Sequence, residues 1–458
     1  MGRTGIYVCN YNKREYVVRC VESLLKQTCR DIDIYVVDNA STDGSVEALE
    51  ERFWGQVSVI QNQENIGGSG GFDAAIQDAL QKDYQYIVLC DNDVWVDTNT
   101  IQVMYEYMEK HPDVGILGPK VLQMEKPKLI QDFGGSIDNR YHLAGNYTGR
   151  IDESLPVEMD CEYISTCTAM ARVSAVRKFG SMPKENFIYW DDVEWSKRCQ
   201  NSGYRTVAIG TARVWHNFAE ADIPSPFVYY YLTRNQLKFF SKFLPASELS
   251  AFFECMLAEI HAKCFMFRYK KRIDLAETIQ NAWMDFLAGV EGKAREGQIV
   301  KKLENPEPDS LENLLRENAA LEVEMEGKQE EVVTFVRLVS RMKKNGMENQ
   351  IYIRTRDIER LKTHLASYMD EDLYDKIKLK QWDEQCTGNI QAVCLCDDIK
   401  QLPAKEKDKA YIDRFLNCIA SEEDYGYIQG YDASFKNFKE TYKELFENRI
   451  RELRERRI

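Results

Sequence analysis

The sequence of 458 residues has no apolar run of the ~18 residues that a membrane-spanning helix needs. It also lacks a C-x-x-C pair among its 13 cysteines, several of which lie inside apolar runs, so reduced and buried thiols are expected rather than a zinc site or a disulfide framework. The N-terminal apolar stretch is too short for a signal peptide. These absences together predict a cytoplasmic protein.

An excess of basic residues is missing as well. The chain has 60 Lys and Arg against 74 Asp and Glu, which gives a net charge of −14. Binding to a polyphosphate needs concentrated Lys and Arg, so nucleic acid is not an expected partner. The remaining composition, with 44% hydrophobic residues, is that of a globular protein made of several domains.

Short β-branched runs alternate with amphipathic helical patterns from residue 5 to about residue 118, as in a βαβ sheet. The predicted strands are 5–9, 33–38, 57–61, 86–91 and 114–119. The predicted helices are 14–27, 45–53, 71–82 and 98–111. Since the strands are apolar throughout, we expect a sheet covered on both faces, and such sheets bind ligands beyond the carboxyl ends of their strands.

The rest of the chain changes in character twice. Helical and aromatic patterns fill residues 225–290, and a stretch with two prolines and dense charge follows at 301–331. Strand and helix patterns then alternate again. The predicted organisation is a domain at 1–224, a helical extension at 225–300, a charged linker or exposed helix at 301–331, and a second small α/β domain of unknown role at 332–458.

Two carboxylates stand two residues apart where the apolar strand 86–91 ends, Asp91 and Asp93 with Asn92 between them. Oxygen ligands at a strand end can share one hard cation, which can also neutralise a diphosphate. His216 follows a later predicted strand and is a sensible third ligand, although a lone histidine is more often structural. The competing interpretation of the aspartates is an Asx-turn that closes the strand.

A second acidic pair, Asp191 and Asp192, separates an aromatic segment from a helical pattern. One acid could cap the helix while the helix dipole stabilises the charge of the other, in which case neither has a chemical role. In the functional interpretation, one of the two carboxylates, beside Trp190, is a general base.

Asp38 ends the predicted strand 33–38 and begins a turn that can cap the next helix through Ser41 or Asp43. Taken alone, capping is the simpler interpretation. The Asp38 carboxylate could instead accept hydrogen bonds from a nucleotide base or ribose.

Residues 64–72 predict a glycine-dense turn before a helix, where backbone amides could face phosphate or sugar oxygens. The run is not a dinucleotide fingerprint, because Asp73 stands where the third glycine should be. It does match G-x-S-x-G around Ser69, the nucleophile elbow of hydrolases, but polar residues separate it from the preceding strand. A serine hydrolase that uses Ser69 stays an alternative of a different class.

Six segments in one order resemble the inverting family-2 glycosyltransferases of the A-type fold, over about residues 4–290. They are NYNK (10–13), VVDNASTDGS (37–46), NIGGSGGF (65–72), DND (91–93), WDDVEW (190–195) and WH (215–216). Within the family, the chain looks most similar to bacterial galactofuranosyltransferases, with rhamnosyltransferases as near neighbours. The resemblance implies an α/β fold whose first domain has a Rossmann-like mixed sheet, and transfer of a sugar with inversion from a nucleotide-sugar donor to a glycan or lipid-linked acceptor.

The resemblance also implies roles for single residues. The nucleotide-sugar pocket would be lined by Tyr11, Asn12, Lys13, Asp38, Asn65, Gly67, Gly68 and Asp91. Asp91, Asp93 and His216 would bind Mn²⁺ or Mg²⁺. Asp192 would be the general base, and Trp190 and Asp191 would shape the acceptor site. Lys13 stands where the family usually has arginine, which keeps the charge but loses the bidentate contact.

The favoured donor is UDP-galactofuranose, with dTDP-rhamnose as the alternative and a non-catalytic glycan-binding scaffold as an alternative outside enzymes. The helical extension carries an apolar stripe followed by basic residues, which predicts either core packing or peripheral contact with the inner face of a bacterial cell membrane. The stripe is Leu249, Phe252, Phe253, Met256, Leu257 and Ile260. The basic residues are Lys263, Arg268, Lys270, Lys271 and Arg272.

Overall fold

The structure is a computed structural model. It describes residues 4–152, 155–217, 224–304, 307–369, 377–384, 390–396, 398–399, 406 and 408–455. The described residues of the N-terminal part include the α-helices α1 (Arg14–Leu25), α2 (Ser45–Arg52), α3 (Gly67–Leu80), α4 (Thr100–Lys110), α5 (Val173–Phe179) and α6 (Asp191–Asn201). Its strands among the described residues are β1 (Thr4–Asn10), β2 (Ile32–Asp38), β3 (Val57–Gln61), β4 (Tyr86–Asp91), β5 (Val94–Val96), β6 (Val114–Gln123), β7 (Ile130–Asp132), β8 (Gly135–Ile137), β9 (Leu143–Gly145), β10 (Glu158–Asp160), β11 (Thr168–Arg172) and β12 (Arg205–His216).

Most of these strands form one ten-stranded mixed sheet in the order β10-β12-β6-β11-β4-β1-β2-β3, with β5 beside β12 and β7 beside β6. The four strands β1 to β4 run parallel to one another, whereas β11 runs antiparallel to β4 and β6. Alternate residues of one strand feed separate cores on the two faces of the sheet, with Val88 on one face and Leu89 on the other. The prediction of an α/β sheet covered on both faces is confirmed.

Three helices follow the sheet, α7 (Pro226–Phe243), α8 (Leu249–Tyr269) and α9 (Ile273–Leu287). The remaining elements are α10 (Ser310–Glu317), β13 (Ala320–Glu324), α11 (Gln329–Lys344), β14 (Gln350–Thr355), α12 (Ile358–Ala366), β15 (Ile377–Gln381), β16 (Gln391–Cys396), β17 (Lys409–Asp413), β18 (Cys418–Ile419), α13 (Glu422–Gln429) and α14 (Tyr431–Glu455). The helical region and the second small α/β unit predicted from the sequence are both present.

The second sheet has the order β15-β14-β13-β16-β17-β18. Its central strand β13 and the helix α10 lie within residues 301–331, so this range differs from the predicted linker. Leu321 and Val323 of β13 are fully buried, and Glu322 between them pairs with Arg354 at 2.9 Å. Charge density suggested an exposed segment because the sequence does not reveal that these charges are paired within the sheet.

The apolar stripe of α8 packs inside the protein. Five of its six residues are buried, and Leu249 packs partly buried against the same cluster. The C-terminal helix α14 contributes Phe446 and Ile450 to this cluster. The structure therefore supports the core-packing interpretation of the stripe.

The basic residues that follow the stripe largely contact protein groups. Arg272 pairs with Asp274 at 2.9 Å, and Lys263 pairs with Glu259. None of the described helices is both long and apolar enough to cross a membrane.

We expect Phe446→Ala to destabilise the protein by about 3–5 kcal/mol, since it removes a large buried side chain. The Phe446 ring is fully buried, and its centroid lies 4.7 Å from that of Phe253 and 4.9 Å from that of Trp283. The neighbouring Leu445 is 50% exposed, so Leu445→Ala is the matched control with little effect. Thermal unfolding measures both variants, and equal losses would show that α14 is not packed as described.

Candidate active site

The first cluster of candidate site residues, Asp91, Asp93 and His216, lies where β4 ends at the carboxyl edge of the sheet. Beyond Asp91 the chain turns into β5, which pairs antiparallel with the end of β12 and brings His216 opposite Val94. His216 Nε2 thereby lies 3.1 Å from Asp93 Oδ1. One ligand atom from each of Asp91, Asp93 and His216 lies within 4.8 Å of the other two. Residues more than a hundred positions apart in sequence thus form one compact donor set.

The electrostatics of this cluster fit a divalent cation. Burial raises the pKa of Asp91 to about 7, with repulsion from Asp93 and Asp191 adding to the shift and His216 opposing it. Burial alone would lower the pKa of His216, but its hydrogen bond to Asp93 and the nearby carboxylates raise it. Mn²⁺ and Mg²⁺ prefer oxygen ligands, and Mn²⁺ also accepts imidazole, so the donor set suits either ion.

Two residues of β7 line the same region, and no sequence motif marked them. The Gln131 amide lies 2.8 Å from His216 Nδ1, on the side of the ring opposite Asp93. Burial raises the pKa of the next residue, Asp132, to about 6, and its charge acts on both His216 and Asp192. β7 has only three residues, so the sequence pattern does not distinguish it from a loop.

The second functional group is the acid pair at the start of α6. Asp191 and Asp192 are the first two residues of the helix, while Trp190 is its N-cap residue and has the left-handed backbone angle φ of 63°. Neither acid is the N-cap residue, but Asp192 Oδ1 accepts from Val193 N at 2.8 Å, and both acids lie in the first turn, where the helix dipole favours them. Burial raises the pKa of both carboxyls, and the charge of Asp191 raises that of Asp192 further.

The backbone before this helix is held from α7. Asn235 Nδ2 lies 3.0, 2.8 and 3.0 Å from the carbonyl oxygens of Asn186, Ile188 and Tyr189, which it faces as a donor. Arg234 also donates to the carbonyl of Asn186 at 3.1 Å. Both side chains are buried. The helix predicted as an extension is therefore a structural part of the candidate site.

The same segment is held from the other side by the glycine run. Ser69 N donates to the carbonyl oxygen of Phe187 at 3.0 Å. A Cβ atom on Gly67 would lie 2.1 Å from that oxygen, and Gly67 has a φ of +79° that side chains disfavour. The prediction of a turn before the helix is wrong here, since α3 begins at Gly67.

Ser69 lies inside α3 and is fully buried. A nucleophile elbow needs its serine exposed at a strand-to-helix turn, whereas β3 ends at Gln61. The structure gives the hydrolase alternative no support.

Hydrogen bonds organise the loops proposed to line the nucleotide pocket. Asp38 is buried, and its Oδ1 accepts from Asn10 Nδ2 at 2.8 Å and from the Ser41 hydroxyl at 2.6 Å. Asn10 in turn accepts from Asn92 at 2.8 Å, which links this loop to the turn that follows β4. Asp38 therefore fixes the loop. Asn10, the first residue of the NYNK segment, is a structural residue to which the resemblance assigned no role.

The helix that follows this loop is not capped by a side chain. Gly44 is the N-cap residue of α2, while Asp43 accepts from Ser45 N at 3.1 Å. Asp43 thus contacts the first turn, as the capping interpretation expected, but Ser41 binds Asp38 instead.

The remaining predicted pocket residues lie near the same edge. Asn12 accepts from Thr42 N at 2.7 Å, and Asn65 accepts from Gly67 N at 2.9 Å. Tyr11 is 44% exposed. Lys13 is also exposed, and its ammonium lies 5.0 Å from the ring centroid of Tyr16. These polar groups therefore line the loops, but their contact with a nucleotide stays a prediction.

Comparison with known proteins finds one matching family. Residues 5–175 match the family described as Glycosyl transferase family 2. The galactofuranosyltransferase GlfT2 of Mycobacterium tuberculosis is 25% identical over 196 residues, which are 39% of this chain and 31% of that protein. The matched part thus spans less than a third of that relative.

Two further proteins are similar to the chain. The N-acetylglucosaminyl-diphospho-decaprenol L-rhamnosyltransferase of Mycobacterium tuberculosis is 22% identical over 47% of this chain and 76% of that protein. A crystal structure of GalNAc-T7 with UDP, GalNAc and Mn²⁺ has 15% identity and a TM-score of 0.44 over 54% of this chain and 49% of that one.

Gly67→Ala should displace the segment before Asp191 and cost about 1–3 kcal/mol, because the new methyl group meets a carbonyl oxygen at a disfavoured backbone angle. Gly68→Ala is the matched control, since the nearest atom to its Cβ is Ile188 Cγ1 at 3.9 Å. Alanine in this helix should leave the melting temperature unchanged or raise it. Equal melting temperatures for the two variants would rule out the proposed close contact.

Mn²⁺ affinity should increase as the pH rises from about 6 to about 8, because a ligand must be deprotonated to bind the ion. Burial raises the pKa of Asp91 to about 7, so below that pH its proton competes with the metal. Isothermal titration calorimetry at fixed ionic strength measures the change, and Asp93→Asn should weaken binding at every pH. A flat pH profile would remove Asp91 from the ligand set.

Proposed function

We propose that this chain, which carries a domain of glycosyl transferase family 2, is an inverting, metal-dependent glycosyltransferase. The donor is a nucleotide-sugar, and the acceptor is a glycan or a lipid-linked glycan. The observation that carries the proposal is the meeting of Asp91, Asp93 and His216 at the carboxyl edge of β4, beside the acid pair at the start of α6. Open sheets of this kind bind their ligands at that edge.

Asp192 is the proposed general base. An acceptor hydroxyl has a pKa far above 7, so its oxygen can attack the anomeric carbon only while a neighbouring group removes the proton. Burial and the charge of Asp191 raise the pKa of Asp192, which makes its carboxylate a stronger proton acceptor once it is ionised. Attack from the face opposite the leaving diphosphate inverts the anomeric configuration.

The leaving diphosphate needs positive charge on its own side of the reaction centre. Asp91, Asp93 and His216 would hold Mn²⁺ or Mg²⁺, which would supply that charge. Asp38 and Asn10 keep the adjoining loop in place for the nucleotide. Asp191 and Trp190 are proposed to shape the acceptor site, since they lie beside the base on the same rigid segment.

UDP-galactofuranose is the favoured donor. The glycine run and the WDDVEW segment resemble the galactofuranosyl branch, and GlfT2 is among the similar proteins. The similarity to a rhamnosyltransferase keeps dTDP-rhamnose as the alternative. A non-catalytic scaffold is disfavoured, because it would have no use for a set of three metal ligands with an acid pair beside it.

A donor screen tests the proposal directly. The purified full chain is incubated with Mn²⁺ and, separately, with UDP-galactofuranose, dTDP-rhamnose, UDP-glucose and UDP-galactose, and release of the nucleoside diphosphate is measured. Release from UDP-galactofuranose supports the favoured donor. Release from dTDP-rhamnose alone would instead support a rhamnosyltransferase. No release from any donor would contradict the proposed glycosyltransferase activity.

Asp192→Asn should keep the fold, donor binding and Mn²⁺ binding but reduce kcat by about 10²–10⁴-fold, because the amide cannot accept the acceptor's proton. Asp191→Asn is the matched control on the adjacent residue and should mainly raise the KM for the acceptor. A purely structural role predicts a lower melting temperature with near-normal kcat for Asp192→Asn, and that result would exclude Asp192 as the base.

A further inference from the structure

His216 has hydrogen-bond partners at both ring nitrogens. Nε2 lies 3.1 Å from Asp93 Oδ1, and Nδ1 lies 2.8 Å from the amide nitrogen of Gln131. The other end of that amide, Gln131 Oε1, is buried and has no hydrogen-bond partner among the described residues. An unsatisfied buried oxygen beside a histidine is unusual and calls for a physical explanation.

The two ends of a glutamine amide have nearly the same shape, so one rotation exchanges the donor and the acceptor. With the amide nitrogen facing Nδ1, as here, a hydrogen bond forms only if Gln131 donates to Nδ1, which puts the ring hydrogen on Nε2, directed at Asp93. A cation can bind Nε2 only through its lone pair, which requires the hydrogen to be on Nδ1. Rotation of the amide then turns Oε1 towards Nδ1. There Oε1 accepts a hydrogen bond from Nδ1–H and is no longer unsatisfied.

We propose that Gln131 is a positioning residue that sets the tautomer of His216 and thereby the affinity of the site for a divalent cation. The amide satisfies either tautomer, since it offers both a donor and an acceptor to the same ring nitrogen. This inference rests on the proposed metal-dependent function and adds a residue from β7, outside every motif of the sequence.

The backbone around Gln131 fixes its place. β7 pairs with β6, and β6 pairs with β12 up to His216 itself. The Thr148 hydroxyl donates to the backbone carbonyl oxygen of Gln131 at 2.9 Å. The amide can therefore rotate about its own side-chain bonds while the strand keeps it within reach of the ring.

Two substitutions separate the hydrogen bond from packing. Gln131→Leu has a similar size but offers no acceptor, so it should weaken Mn²⁺ binding by about 10–100-fold, the usual effect of losing a partner behind a ligating histidine. Gln131→Glu keeps an acceptor for Nδ1–H and should retain most of the Mn²⁺ affinity of the unaltered protein. Isothermal titration calorimetry with Mn²⁺ on the full chain measures both variants, with melting temperatures as the folding control.

A spectroscopic measurement on the unaltered protein does not depend on the variants folding. The chain has 5 histidines, and ¹⁵N-histidine labelling with His216→Ala as the assignment control identifies the His216 signals. With saturating Mg²⁺ the spectrum should show hydrogen on Nδ1 in the unaltered protein and in Gln131→Glu.

The outcomes distinguish this inference from the proposed function. Unchanged Mn²⁺ affinity in Gln131→Leu, equal losses in both variants, or hydrogen on Nε2 in the Mg²⁺ complex would each overturn the role of Gln131 while leaving the metal site in place. An unaltered protein that binds neither Mn²⁺ nor Mg²⁺ would overturn the metal site and this inference together.

Discussion

The candidate site depends on one short stretch of backbone, residues 186–190, that is held from two sides. Phe187, Tyr189 and Trp190 all have positive φ, which costs a residue with a side chain about 1–3 kcal/mol. Asn235 faces the carbonyl oxygens of this stretch from α7, and Ser69 N donates to it from α3. These hydrogen bonds offset the strain. Without them the stretch would relax, and α6 would present its acid pair elsewhere.

The backbone at residues 186–190 connects distant parts of the chain to the candidate site. α7 faces the strained backbone through Asn235, and it packs on α9 and on the C-terminal helix α14. Arg454 near the end of α14 donates to the carbonyl oxygen of Ser241 at 3.2 Å, on the last turn of α7. The C-terminal helix therefore packs against the helix that holds the candidate site, although it follows the second sheet in sequence. The helical region acts as a support for the site.

The sequence predicts what local patterns control and misses what depends on pairing in space. Strand β4 and its end at Asp91 were predictable, because an apolar run that stops at polar residues marks the end of a strand. The start of α3 was not, since glycines usually break helices and only the approach of Phe187 explains Gly67. Gln131 lies on a three-residue strand whose neighbours come from β6, so its position beside His216 has no local signal.

Several carboxyl groups share this edge of the sheet, and their mutual repulsion links their properties. Burial raises the pKa values of Asp91, Asp132, Asp191 and Asp192, and the charges of Asp91 and Asp132 add to the shift at Asp192. A divalent cation held by Asp91, Asp93 and His216 would reduce that repulsion. Because linkage is reciprocal, a cation that favours the ionised form of Asp192 is itself bound more tightly when Asp192 is ionised. The proposed base Asp192 would therefore be ionised in the same state that would bind a donor diphosphate.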